Sequence, residues 1–344
     1  MRRTPATITD VAREARVSKT TASDALRGHG RVSEPTRRAV LAAAERLGYA
    51  PNRSARSLRT SVTGTIALHV PESLTSAEYS MPFVFGVTEQ AARAGLNVTL
   101  LPSGHLPHRG TVPQADGVVL CDPVTEDPVV EQLMNSGLPV VTAERHVGDR
   151  QPTGVVRPDH ETSMTELLDH LRANGARRPA FIASDTTSDR STTLRSAHAR
   201  WSEAHGLPHL VRSALSGSPP DVLRAVVREL LAETPGIDAV VCAADGAAAA
   251  VLPELRAAGR RVGHDLLLAS CADSSAMRTA EPPITAVDLR PRAVGAACGR
   301  LLCEILSGDT PPGTVRDLPV ELNIRASTRT RRCAVPVRDV EAGD

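Results

Sequence analysis

Several things are scarce in this chain, and each scarcity closes off a class of function. Aromatic residues make up 2% of the sequence, so there are few flat faces for a sugar ring to stack on. Six cysteines (Cys121, Cys242, Cys271, Cys298, Cys303 and Cys333) stand apart without a C-x-x-C pair, and the histidines are equally scattered, which excludes a zinc spacing. They read as buried thiols of a reducing cytoplasm. No run approaches the roughly 18 apolar residues that span a bilayer. The basic start Met1-Arg2-Arg3-Thr4-Pro5 is followed by no apolar segment of a secretory signal. A cytoplasmic protein without a membrane partner is expected. There is no G-x-S-x-G, no G-x-x-x-x-G-K-[ST] and no metal-ligand cluster, so neither an enzyme nor a cofactor is expected. Lysine is nearly absent too: Lys19 stands alone, and arginine supplies every other basic side chain.

At 344 residues the chain suits one small domain and a larger one. Its net charge of +1 conceals a polarity: the first sixty residues hold 13 Lys and Arg against 5 Asp and Glu, net +8, which leaves −7 for the rest. A basic end on an acidic protein points to a polyanion partner for that end.

Within the basic end, ITDVAREARVSKTTASDAL (8–26) contains two short apolar-periodic runs, Ile8/Val11/Ala12/Ala15 and Ala22/Ala25/Leu26. Thr9 and Ser18 are the hydroxyl residues expected to cap them. Only Arg16, Val17 and Ser18 separate the runs, so two helices must meet steeply, as in a helix-turn-helix. With Ala22, Ala25 and Leu26 facing inward, Lys19, Thr20, Thr21, Ser23 and Asp24 face outward toward DNA. Asp24 is better suited to orienting an arginine than to reading a base, and Thr9 adds a phosphate contact. Arg31, after the glycine-rich connection, joins the DNA-facing set. Ser33-Glu34-Pro35 starts a third helix, Gly48 ends it, and Val40, Leu41, Ala44 and Leu47 are expected to cover the first two. Beyond it, Asn52 can cap a helix of about six residues, too short to persist alone. Arg53, Arg56 and Arg59 recur every third position, beside a side carrying Asn52, Ala55 and Leu58. That is either a minor-groove wedge led by Leu58 or a basic linker.

These stretches, ITDVAREARVSKTTASDAL, RVSEPTRRAVLAAAERLGYAPN and RSARSLRT, resemble the headpiece and hinge helix of the lactose/galactose-repressor (LacI/GalR) family of bacterial transcription regulators. The resemblance puts Lys19, Thr20, Thr21, Ser23 and Asp24 on the recognition helix, Asn52 and Ala55 in the hinge helix, and Leu58 at the minor-groove lever. Arg16 departs from it, standing where the family usually has glycine.

From Thr63 onward short apolar runs alternate with helical segments: 65–70, 96–101, 117–121, 139–142, 180–183, 239–242 and 265–269 as strands, with a helix over 83–94. This is the pattern of parallel sheets buried on both faces. The resemblance implies two lobes like those of periplasmic sugar-binding proteins, exchanging strands near 159 and 285. The fold expected is thus a small all-α helix-turn-helix headpiece (1–50) joined by a hinge helix and linker (51–62) to an α/β two-lobed periplasmic-binding-protein-like core (63–330), with a tail at 331–344. Ligands of such folds sit beyond the carboxyl ends of strands. There the candidates are Ser73, Tyr79, Asp159, Arg195, Asp245 and Asp273; by resemblance Arg195, Asp245 and Asp273 fall where family members hold their effector. LPVELNIRAST (318–328) resembles the family's closing signature, whereas Ala272 stands where many members have an acid. Trp201 reads as core.

The function expected is a homodimeric regulator, most simply a repressor, on double-stranded, pseudo-palindromic operator DNA and associated with the nucleoid when bound. A small-molecule effector controls it, and sugar is the class the family implies. The alternatives are a solute-binding protein of the same bilobal fold, and an activator or global regulator with no small-molecule effector.

Overall fold

The computed structural model describes residues 6–27, 32–49, 62–71, 77–101, 114–125, 127–215 and 217–329. The chain divides into two compact units, Met1–Thr63 and Gly64–Asp344.

Among its described residues the first unit has three helices, α1 (Ile8–Glu14), α2 (Lys19–Arg27) and α3 (Glu34–Leu47). Thr7, not Thr9, starts α1: its side chain accepts from the Asp10 N–H while the Asp10 carboxylate accepts from the Thr7 N–H at 2.9 Å, a reciprocal capping box. Thr9 is the second residue of the helix and is exposed. Ser18 caps α2, its Oγ accepting from the Thr21 N–H at 3.0 Å. Between them Arg16 takes φ 53°, the left-handed conformation that glycine adopts without strain and that costs an arginine about 1 kcal/mol. α3 starts at Ser33 and stops at Gly48 (φ 60°), as the sequence implies. Its buried face is Val40, Ala43 and Ala44, whereas Leu41 is 49% and Leu47 37% exposed. Spacings of three and four fix one line along a helix, and Leu41 lies about 100° off the line through Val40. Alanines therefore do most of the packing against Val11, Ala12, Ala22 and Ala25.

The second unit holds two six-stranded sheets. In the first, β1 (Thr65–His69), β2 (Asn97–Leu101), β3 (Gly117–Cys121), β4 (Val140–Ala143), β5 (Gly154–Pro158) and β11 (Thr314–Leu318) lie in the order β11-β5-β4-β3-β1-β2, all parallel. Helices α4 (Ala77–Arg93), α5 (Pro128–Met134) and α11 (Pro291–Ser307) belong to this lobe. The second sheet runs β12-β10-β9-β8-β6-β7, from β6 (Pro179–Ser184), β7 (Leu210–Ala214), β8 (Ala239–Cys242), β9 (Leu267–Ser270), β10 (Thr285–Asp288) and β12 (Glu321–Asn323). Only β12 is antiparallel in it. Its helices are α6 (His160–Ala173), α7 (Asp189–Ala204), α8 (Pro220–Glu233), α9 (Ala247–Ala257) and α10 (Ser275–Thr279). Alternate strand residues feed different cores: Ile182, Val240 and Leu268 pack on one face, Phe181, Val241 and Ala269 on the other.

The chain passes between lobes three times: at Asp159 from β5 to α6, at 289–290 from β10 to α11, and at 319–320 from β11 to β12. The last crossing is additional to the two places suggested by the sequence. The helix expected over 83–94 begins at Ala77, with Pro82 inside it. The strand expected at 265–269 occupies 267–270, because Asp265 turns back to accept from the Arg261 N–H and Nε at 2.8 and 3.0 Å. Trp201 is core: it is 5% exposed, and its indole N–H donates to Asp169 at 2.7 Å.

Candidate DNA-reading surface and effector cleft

The outer end of α2 presents Lys19 and Thr20 to solvent, while Thr21, Ser23 and Asp24 are half-buried. The Thr21 hydroxyl shares a 2.7 Å hydrogen bond with the capping Ser18, so Lys19 and Thr20 are the freer pair. The first turn of α2 contains no acidic residue, which leaves its positive end favourable to a phosphate. An Arg46–Glu14 pair at 3.2 Å ties α3 to α1 behind it. Arg31, Asn52, Arg53, Ala55, Arg56 and Leu58 lie outside the described residues, as does Ser73 of the effector set.

The remaining effector candidates have different local roles. Asp159 caps α6, accepting from the Thr162 N–H at 3.0 Å and its hydroxyl at 2.7 Å; these bonds hold its carboxyl below the usual range. Arg195 points to the β6–β7 edge and donates to the Ser184 carbonyl and Ser213 Oγ, both at 2.9 Å. Asp273 is taken up by the closing signature: Arg325 donates to both its oxygens at 3.0 and 2.6 Å, and Asn323 adds a bond at 3.1 Å. These bonds make Asp273 an anchor for the last crossing. Asp245 is exposed in the turn after β8. Tyr79 sits at the seam, packing against the cores of both lobes, and burial pushes its phenol well up.

Beside Tyr79 lies a group that the sequence reading passed over: Asp122, Glu144, His160, Asp189 and Arg190. Asp122 and Glu144 are the first residues after the paired strands β3 and β4, in register through Cys121 and Ala143. Both are non-glycine residues in the left-handed region, at φ 41° and 76°. Such strain is held by the surrounding structure and gathers at functional sites. Glu144, from the first lobe, accepts or shares a 2.7 Å bond with His160 Nε2 from the second, both side chains at or below 5% exposure. Arg190 reaches under the second sheet, donating to the Ala243 and Cys271 carbonyls at 2.9 and 3.3 Å. Burial, with Glu144 adding repulsion, pushes Asp122 up to about 6; burial also raises Asp189. The rule that ligands gather at strand ends selects Asp122 and Glu144. Reading β4 as ending at Thr142 concealed Glu144.

Where the first crossing passes, a cavity of about 620 Å³ is lined by Arg145, Arg157, Asp159, His160, Asp189 and Asp317, among others. Further contacts join the lobes: Thr125 with Thr187 through their hydroxyls at 3.0 Å, and Glu78 accepting from the Ser275 N–H at 2.6 Å and from Arg278 at 3.5 Å. Among the described residues no three His, Cys, Asp or Glu side chains are grouped so that they could hold a metal ion, and no helix is long and apolar enough to cross a membrane.

Residues 7–52 match the family described as bacterial regulatory proteins, lacI family, and residues 168–328 match the periplasmic binding protein-like domain. The HTH-type transcriptional regulator CelR of Thermobifida fusca is 31% identical over 341 residues, covering 95% of this chain and 99% of that protein. Catabolite control protein A of Priestia megaterium is 27% identical, covering 94% and 99%. Among solved structures, a transcriptional regulator CelR–cellobiose complex matches with TM-score 0.69 at 29% identity over 94% of this chain and 99% of that one. The lac repressor dimer bound to operator and the anti-inducer ONPF matches with TM-score 0.80 at 23% identity, over 95% and 100%. With its three-helix headpiece and its two-lobed core both matched, the chain belongs to the lacI family of bacterial regulatory proteins and is a transcription regulator, not an enzyme.

Proposed function

We propose that this regulator works as a homodimer that places one α2 in each half of a pseudo-palindromic operator, and that a small polar effector between the lobes sets its affinity. Lys19 and Thr20, exposed at the unshielded end of α2 on a segment of net charge +8, are the observation that carries the DNA half of this reading. In the division we propose, 1–50 reads DNA, 51–62 is hinge and linker, 63–330 binds effector and dimerises, and 331–344 is a tail. The DNA set is Thr9, Ser18, Lys19, Thr20, Thr21, Ser23, Asp24 and Arg31, with Asn52, Arg53, Ala55, Arg56 and Leu58 from the hinge. Such a protein resides in the cytoplasm, at the nucleoid when bound.

For the effector we favour the seam at Tyr79, Asp122, Glu144, His160 and Arg190; Asp245, exposed in the turn after β8, keeps its place by sequence. Ser73 keeps its place by sequence alone. Asp159, Arg195 and Asp273 are assigned to holding the scaffold, for the hydrogen bonds described above. Closure on the effector changes the lobe arrangement, and the hinge segments of the two subunits carry that change to the headpieces. Repression is the output we favour.

The test is nuclease footprinting of the full-length protein on its own promoter, with and without cellobiose, the ligand of the CelR complex. A protected two-fold site whose protection changes with cellobiose supports both halves. Protection that cellobiose leaves unchanged supports the DNA half and removes cellobiose as effector.

A further inference from the structure

The seam group contains more acid than its neighbours satisfy. Asp122 and Glu144 stand side by side at adjacent strand ends. Glu144 is 4% exposed, and its Oε2 has no hydrogen-bond partner among the described residues; the same holds for the shielded Oδ1 of Asp122. The titratable groups that face them come from two other elements and from the residue next to Glu144. Arg190 and Asp189 open α7, His160 opens α6, and Arg145 follows Glu144. The donors among them are partly engaged: Arg190 Nη2 on two backbone carbonyls with its Nε left without a partner, His160 on the other oxygen of Glu144, and Arg145 beside Asp189. Two shielded acceptor oxygens therefore remain together at a place both lobes reach. A buried carboxylate oxygen without a donor is costly, and a charged donor relieves it more than a neutral hydroxyl does.

The aromatic inventory of the core points the same way. Phe83 and Phe181 are wholly buried, Trp201 is core, and Phe85 faces out from α4, so Tyr79 alone offers a ring at the seam. A neutral sugar held by stacking has little to stack on here.

We propose that the effector carries a primary ammonium group and that this group docks between Asp122 and Glu144. The inference rests on the reading of the seam as the effector site. It also implies competition between proton and ligand: a proton on the Asp122 carboxyl occupies the place of the ammonium, and burial brings that carboxyl to about 6.

The test is binding to the full-length protein by calorimetry and thermal shift, using two amine probes with uncharged counterparts: glucosamine against glucose, and putrescine against butane-1,4-diol. At least one amine is expected to bind and its counterpart not. Asp122→Asn should weaken that amine by at least about thirtyfold, and its affinity should fall as pH drops from about 7 to about 5. Glu144→Gln is the second variant, and circular dichroism of both verifies that they fold. Equal binding of amine and counterpart, binding of neither amine, or unchanged amine affinity in both folded variants overturns the proposal. Operator footprints separate the two claims. If the amine binds at the seam without altering protection, the ammonium site stands and effector control by this site fails. If only neutral sugars alter protection, the regulator stands and the ammonium site falls.

Discussion

Arg325 holds both oxygens of Asp273 in a largely buried pair, and the consequence of removing it is steep. Arg325→Ala leaves an acid of 5% exposure with only the Asn323 amide at 3.1 Å and the more distant Arg278 guanidinium at 3.7 Å, and should cost about 3 kcal/mol in urea unfolding. The double variant Asp273→Leu with Arg325→Leu should recover much of that loss, because it removes both buried charges. Two other residues give the protein opposing responses to acid. His198 is wholly buried between Phe181 and His209, and burial lowers it to about 4 from 6.5. The unfolded chain therefore binds the proton first, and stability falls as pH drops from 6.5 toward 4. Asp122 has the reverse sign. Raised to about 6 from 3.8, it takes its proton first in the folded state, so it adds stability as pH falls through that window and loses it as pH rises past about 6. His198→Leu should flatten the acid limb of a stability–pH profile, and Asp122→Asn should steepen it, each by at most about 1.4 kcal/mol per pH unit. The opposite ordering would contradict the assignment of these shifts to burial.

At the scale of elements, α4 and α11 lie in near contact because glycine lines their crossing. A Cβ on Gly295 would meet the Phe83 carbonyl oxygen, and one on Gly86 would meet that of Arg292. Gly295→Ala gains roughly 1 kcal/mol of helix propensity and loses about 1–3 to overpacking. A net drop in melting temperature is expected, and an increase would mean that the helices are free to separate. The sequence made the long apolar elements of this scaffold legible: β1, β3 and β8 stand nearly as their runs imply. It did not mark the mixed strands β7 (Leu210–Ala214) and β11 (Thr314–Leu318), whose residues are mostly half-exposed, nor the three-residue β12. Edge strands need no continuous apolar run, so no periodicity announces them. The site divided in the same way. Ser18, Lys19 and Thr20 follow from local capping and periodicity. Glu144, His160 and Arg190 meet only through the lobe crossings, and it is the structure that puts Arg190 and Arg195 on one helix and brings Arg190 to the seam.

For the molecule as a whole, the division of charge matters more than its sum. A segment of +8 on a remainder of −7 confines phosphate attraction to one end, and operator affinity should fall steeply with salt. Lys19→Ala should lower the slope of log affinity against log salt by about 1 if Lys19 meets a phosphate, and relax sequence preference if it meets a base edge. Leu58→Ala should weaken specific operator binding much more than non-specific binding; equal losses would remove the lever from the mechanism. The most direct measurement of the central claim is a footprint of the full-length protein on its own promoter beside one of the Lys19→Ala, Thr20→Ala variant, with folding of both verified by circular dichroism. Two protected half-sites about one helical turn apart, lost in the variant, are expected. Protection without two-fold symmetry, or protection that survives in the variant, would contradict the account.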